Sequence, residues 1–233
     1  MAASAPDHTA RRTRPNGHRA THTRSVASSS DSPTGTQPLR YVALGDSYTI
    51  GTAVDADERW PSQLIARLGR GGGLRLVRNL GVNGATSAAV LERQLPAAIA
   101  LRPEFASLLV GVNDVVRRVP EAVVRANVTS IVDGLGLPPS RILLVSTPDY
   151  TVTPEGASYG DPATRRAGIV AVNAAVEEIA TARGIPFVDI FDLSGRAATD
   201  LRLVADDGLH PSGAQYALWV DRIAPVVAAL LGR

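Results

Sequence analysis

The sequence of 233 residues contains no cysteine. That removes disulfide scaffolds, zinc–thiolate centres and cysteine nucleophiles at once. Lysine is missing too, since all 24 basic residues are arginine, so neither a Schiff-base lysine nor a phosphate-loop lysine is available. No stretch approaches the roughly 20 uninterrupted apolar residues that a membrane-spanning helix requires, and an integral membrane segment is not expected. Histidine is scarce and skewed. Of the four, His8, His18 and His22 lie near the N-terminus, which leaves His210 as the one imidazole of the remaining chain.

Charge is skewed the same way. The first 40 residues hold six arginines against Asp7 and Asp31, while the rest carries 18 basic and 20 acidic residues. The body therefore offers no basic face on which to build a nucleic-acid argument. Residues 1–38 are rich in Ser, Thr, Ala, Arg and Pro without apolar periodicity, and are expected to form a disordered basic tail ahead of a domain spanning 39–233. The Arg11-Arg12 pair is not followed by the apolar core of a secretory signal, so the expected location is cytoplasmic.

From Arg40 onward short apolar runs alternate with longer segments of helical period, the pattern of an α/β domain with a parallel sheet. Strands are expected at Tyr41–Leu44, Leu74–Leu80, Phe105–Val110, Ile142–Ser146 and Pro186–Ile190. Helices are expected at Trp60–Leu68, Ser87–Ala100, Glu121–Leu135, Ala163–Ala182 and Ala214–Leu231. Five strands with helices between them predict a three-layer α/β/α sandwich, whose reactive groups should sit beyond the carboxyl ends of the strands.

Gly45-Asp46-Ser47-Tyr48 follows the first strand, Gly81-Val82-Asn83-Gly84-Ala85-Thr86 the second and Gly111-Val112-Asn113-Asp114 the third; Asp207-Gly208-Leu209-His210-Pro211 precedes the last helix. In these four blocks, and in their order, the chain from about Tyr41 to Leu231 resembles the SGNH (GDSL-type) serine hydrolases, most of all the small bacterial lysophospholipase, thioesterase and esterase branch. The resemblance implies a flavodoxin-like sandwich and ester or thioester hydrolysis. It makes Ser47 the nucleophile, Ser47, Gly84 and Asn113 the oxyanion donors, His210 the base and Asp207 its orienting acid. Tyr48 stands where the family's namesake motif has leucine.

The chemistry of the residues leads to the same places. A serine hydroxyl is a poor nucleophile until an imidazole takes its proton, and His210 is the only body residue suited to that near neutral pH. Asp207 is separated from His210 by a short turn containing Gly208 and is placed to fix the ring's tautomer, with Asp206 as its neighbour and competitor. The Ser47 N–H at a helix start, an unhindered Gly84 N–H and the neutral amide of Asn113 suit a developing oxyanion, although Gly84 also fits a turn and Asn113 a cap. Asp46 and Asp114 are assigned to loop hydrogen bonding.

Other signals carry less. Gly156-Ala157-Ser158-Tyr159-Gly160 matches the nucleophile-elbow pattern, but it lies well beyond the fourth strand and behind Pro148 and Pro154, so Ser158 is read as a loop residue. Asn127-Val128-Thr129 matches a glycosylation acceptor inside a helical stretch. Trp60 and Trp219 are read as core anchors, Arg117-Arg118 as a solvated pair, and no His/Asp/Glu grouping has metal-ligand spacing. The sequence thus points to a serine hydrolase without metal or cofactor, acting on a small-molecule ester or thioester. An acyltransferase using the same triad and a non-catalytic acyl- or glycan-binding module are the alternatives, and the oligomeric state is not legible.

Overall fold

The structure, a computed structural model, describes residues 37–69 and 73–233. The tail expected over 1–38 lies outside the described residues except for its last two positions. Five strands, β1 (Leu39–Gly45), β2 (Leu74–Asn79), β3 (Phe105–Leu109), β4 (Ile142–Val145) and β5 (Phe187–Val188), pair in parallel in the order β2-β1-β3-β4-β5. β1 aligns Tyr41 with Phe105 and Gly45 with Leu109 of β3, so the two strands end level. β3 and β4 are buried along their whole length and β1 from Tyr41 onward, as a sheet covered on both faces demands. The edge strand β2 instead exposes Arg75 and Arg78, charges that discourage pairing with another chain.

Short helix α1 (Ser47–Ile50) follows β1, and α2 (Trp60–Leu68) leads to β2. Between β2 and β3 run α3 (Ser87–Ala89), a π-helical turn (Val90–Gln94) and α4 (Leu95–Ala100). α5 (Val112–Val116) and α6 (Glu121–Leu135) precede β4; α7 (Pro162–Arg183), α8 (Phe191–Gly195) and α9 (Gly213–Leu230) complete the order. The chain steps from β1 outward to β2, then crosses back to β3 and continues to β4 and β5. Right-handed crossovers therefore put α2 on one face and α4, α6 and α7 on the other, and α9 packs on α2. Trp60 and Trp219 are fully buried, and Trp219 meets Tyr216 edge to face at 5.0 Å.

Two expectations need correction. The helix expected over Ser87–Ala100 is broken by the π turn, because Pro96 has no N–H to continue the ladder and because the bulge turns Gln94 inward. There Gln94 Oε1 accepts from Gly45 N–H (2.9 Å) and its Nε2 donates to the Gly45 carbonyl (2.7 Å). The strand expected over Pro186–Ile190 shrinks to two residues. Beyond Val188 the ladder passes to a side chain: Ile190 N–H donates to Ser146 Oγ, which donates to Asp189. Among the described residues no helix is long and apolar enough to cross a membrane.

Candidate active site

β1 and β3 are neighbours whose connections leave in opposite directions, and an α/β sheet has its natural crevice at that point, beyond the carboxyl ends. β1 ends at Gly45, whose φ of +154° and whose surroundings admit no side chain: a Cβ would stand 2.3 Å from the Leu109 carbonyl oxygen and from Thr49 Oγ1. The chain can then turn sharply. Asp46 caps α1, its Oδ1 accepting from Tyr48 N–H at 3.0 Å. Ser47 becomes the first residue of the helix, 7% exposed, and its Oγ has no hydrogen-bond partner among the described residues, so it opens on the crevice.

The histidine arrives from the loop before α9. His210 Nδ1 lies 2.6 Å from Asp207 Oδ2, while Asp207 Oδ1 accepts from the backbone N–H groups of Leu209 and His210, each at 2.9 Å. Partial burial pushes the Asp207 carboxyl upward, but the imidazole and these two N–H donors outweigh it and hold the group below the usual carboxylate range. Asp206, the competitor in the sequence, is exposed, and its side chain makes no hydrogen bond among the described residues. The loop is fastened by Ala205 N–H to the His210 carbonyl (2.8 Å) and by Glu155 N–H to the Gly208 carbonyl (3.0 Å). Tyr48 packs against the imidazole with ring centroids 5.2 Å apart.

Gly84 and Asn113 reach the same cleft from the ends of β2 and β3. Gly84 has φ +75°, a conformation that glycine adopts without strain. One N–H of the Asn113 amide donates to the Ala85 carbonyl at 3.0 Å, which aims the group and leaves the second N–H for a ligand. The cleft, about 230 Å³, is lined by Ser47, Tyr48, Asn83, Gly84, Val112, Asn113, Val116, Tyr150, Tyr159, Leu209 and His210. The structure thus brings Ser47, Gly84, Asn113 and His210 together around one hollow, with Asp207 behind the histidine. Ser158 lies in a 3-10 turn away from it and spends its hydroxyl on the Glu155 carbonyl (2.6 Å).

Further contacts hold the walls of the hollow, and the role of Arg117 among them has no counterpart in the sequence reading. Arg117, expected to be solvated, donates from Nη2 to the Gly84 carbonyl at 3.0 Å and so fixes the peptide ahead of Ala85. Fully buried Asp114 accepts from the Ser87 N–H (2.8 Å) and Oγ (2.7 Å), tying α5, which carries Asn113, to the helix start behind Gly84. Asn127, the glycosylation candidate, donates to the same Ser87 Oγ. Tyr150 and Tyr159 form one wall, edge to face at 5.9 Å. Beneath them buried Asp149 receives Thr151 N–H, Thr151 Oγ1 and Arg166 Nη1 (3.0 Å), and Arg166 lies 4.7 Å over the Phe191 ring.

A serine at a helix start, an imidazole–carboxylate pair and polarised N–H donors around one hollow at the switch point of a parallel sheet are the equipment of a serine hydrolase. Residues 43–218 match the GDSL-like lipase/acylhydrolase family, and the chain belongs to that family and to its ester-hydrolysing enzymes. Esterase TesA of Pseudomonas aeruginosa is 28% identical over 194 residues, covering 82% of this chain and 88% of that protein. A crystal structure of TesA superposes with a TM-score of 0.64 at 24% identity, over 82% of this chain and 99% of that one. The lipase/acylhydrolase from Enterococcus faecalis gives 0.65 at 23%, over 82% and 96%. A catalytic mutant of Axe2, an acetylxylan esterase from Geobacillus stearothermophilus, gives 0.64 at 22%, over 81% and 94%. These structures share the three-layer sandwich.

Proposed function

We propose that the enzyme cleaves carboxylic esters through an acyl-enzyme on Ser47. His210 Nε2 takes the hydroxyl proton as Oγ attacks the carbonyl carbon, and the oxyanion collects the Ser47 N–H, the Gly84 N–H and the second N–H of Asn113. His210 then passes the proton to the departing alkoxide, and the C–O bond breaks to leave an ester on Ser47. Water attacks this ester with His210 again as base, and free acid leaves. Asp207 holds the ring with its proton on Nδ1 throughout, so that Nε2 faces the chemistry. A thiolate leaving group follows the same path, and an alcohol in place of water makes the enzyme an acyltransferase.

The observation that carries this reading is the 2.6 Å Asp207–His210 contact, made in the cleft on which the Ser47 hydroxyl opens. Tyr150, Tyr159, Leu209, Val112 and Val116 give that cleft an apolar wall suited to an acyl chain. A fluorophosphonate probe tests the reading: it should label Ser47, and Ser47→Ala should abolish both labelling and turnover of p-nitrophenyl esters, whereas Ser158→Ala should leave both intact. An adduct mapped to Ser158 would sink it. Competition between water and added alcohols, read as free acid against transferred ester, separates hydrolysis from transfer.

A further inference from the structure

The turn that presents Ser47 is capped by a carboxyl group for which the acyl-transfer steps have no use. Asp46 is fully buried. Its Oδ1 accepts the Tyr48 N–H and its main-chain carbonyl accepts the N–H groups of Thr49 and Ile50, but Oδ2 has no hydrogen-bond partner among the described residues. An ionised carboxylate removed from water needs donors on both oxygens, and this one has the Tyr48 N–H on Oδ1, with a weaker contribution from its own backbone N–H, and no hydrogen-bond partner on Oδ2 among the described residues.

Its ionisable surroundings make the charged form harder still to hold. Asp114, on α5, presses a like charge on it. Tyr48 on its own helix and Tyr216 on α9 are phenols whose ionisation burial opposes first and the Asp46 charge opposes further. Asp207, in the histidine loop, acts on both of those phenols, and the Arg59 guanidinium acts in the opposite sense on Tyr216. Burial, opposed by the Tyr48 N–H and more weakly by the Asp46 N–H and reinforced by Asp114, pushes the Asp46 carboxyl up to about 7.

We propose that Asp46 is a positioning residue that works as the neutral acid, capping the nucleophile turn through Oδ1 while keeping negative charge away from the oxyanion donors one residue on. The proposal rests on Ser47 being the nucleophile. Its logic is electrostatic: a carboxylate at the helix start would counter the partial positive charge that the Ser47 N–H offers to the tetrahedral oxygen, whereas the acid gives the same hydrogen-bond geometry without that opposition.

The test uses the full chain, its Asp46→Asn and Asp46→Ala variants, kcat/KM and Tm from pH 5 to 9, and fluorophosphonate labelling. Asparagine copies the neutral acid in shape and keeps the acceptor for Tyr48 N–H, so its kcat/KM should stay within about threefold of wild type at pH 6 and exceed it at pH 9. Alanine removes the cap and should lose tenfold or more. Because the folded state holds the Asp46 proton more tightly than the unfolded chain, wild-type stability falls as pH rises from the ordinary carboxylate range to about 7. The Tm advantage of Asp46→Asn should therefore widen from pH 5 to pH 8. A more than tenfold loss in Asp46→Asn at pH 6, or superimposable pH profiles in both readouts, would overturn the proposal. Should the variants fold poorly, infrared spectra of wild type decide: no protonated-carboxyl band at pH 6 refutes it. Wild type in which the probe misses Ser47 would instead bring down the nucleophile assignment.

Discussion

Replacing Asp207 with asparagine tests the centre of the site, because the substitution separates two duties that the structure gives one side chain. Oδ1 accepts two backbone N–H groups, each at 2.9 Å, and an asparagine carbonyl oxygen can keep both. The turn should therefore survive, with a cost of about 1 kcal/mol or less, the scale of a neutral for a charge-assisted hydrogen bond. Oδ2 is different. It accepts the Nδ1 proton of His210 at 2.6 Å, and an amide NH₂ placed there would drive the proton to Nε2, leaving no lone pair to receive the Ser47 proton. The expected loss in kcat is up to about 10⁴, or roughly 5 kcal/mol of transition-state stabilisation, with KM little changed. Asp207→Ala, which empties both positions, should lose comparable activity and in addition about 1–2 kcal/mol of stability from the missing cap. Since the native carboxyl is held below its ordinary range, its stabilisation is present above that range and fades as pH falls through the lowered value. The Tm gap between wild type and Asp207→Asn should shrink on acidification. Steady-state kinetics on p-nitrophenyl butyrate, with Tm as the control for folding, decide the matter. If Asp207→Asn stayed within tenfold of wild type while Asp206→Asn collapsed, the orienting acid would be Asp206.

Asn113→Ala should lower kcat by about 10²–10³ with little change in Tm, because it removes one proposed oxyanion donor and a single bond to the Ala85 carbonyl. A loss below threefold would place the donor elsewhere. Arg117→Met should lower kcat about tenfold by freeing the Gly84 carbonyl, while Arg117→Lys, which keeps a donor, should recover part of the loss; an unchanged kcat in Arg117→Met would show that the contact is idle. Tyr159→Ala takes a 39% exposed ring off the cleft wall, so kcat/KM for octanoate relative to butyrate esters should rise several-fold, and an unchanged ratio would remove this residue from the acyl site.

What could be read in the chain follows the range of the interactions. β3, β4, α2 and α6 were legible within a residue or so because burial on both faces writes unbroken apolar runs and helices write their period locally. The π turn was not, since it depends on Gln94 reaching Gly45, 49 residues away. β5 was overestimated because its apolar run continues into a stretch where Ser146 Oγ replaces the ladder. In the site, the Asp207–His210 pair lies three residues apart, so spacing alone could raise it. Asp114 reads as a hydrogen-bonding residue, but its partner Ser87 is 27 residues away, and Arg117 acts on a carbonyl 33 residues away, so neither partner leaves a local mark.

Those long-range contacts help three separate loops meet around one hollow, as the proposed mechanism requires. Each loop begins at the carboxyl end of a strand, and the pairing of β1 with β2 and β3 fixes where each begins. Strand ends alone position a loop only coarsely, and a displacement of about 1 Å in a reacting group can cost 10²-fold in rate. The remaining precision comes from polar ties between loops: Gln94 on the Gly45 peptide, Arg117 on Gly84, Asn113 on Ala85, Asp114 on Ser87, and Glu155 N–H on Gly208. The Gln94 and Asp114 contacts are buried and the Asn113 contact partly so, whereas the Arg117 contact is exposed. Arg117 is exposed, which makes its hold on the Gly84 carbonyl the tie most open to disturbance from solvent, so under the proposed mechanism the placement of the Gly84 N–H depends most on a side chain outside the core.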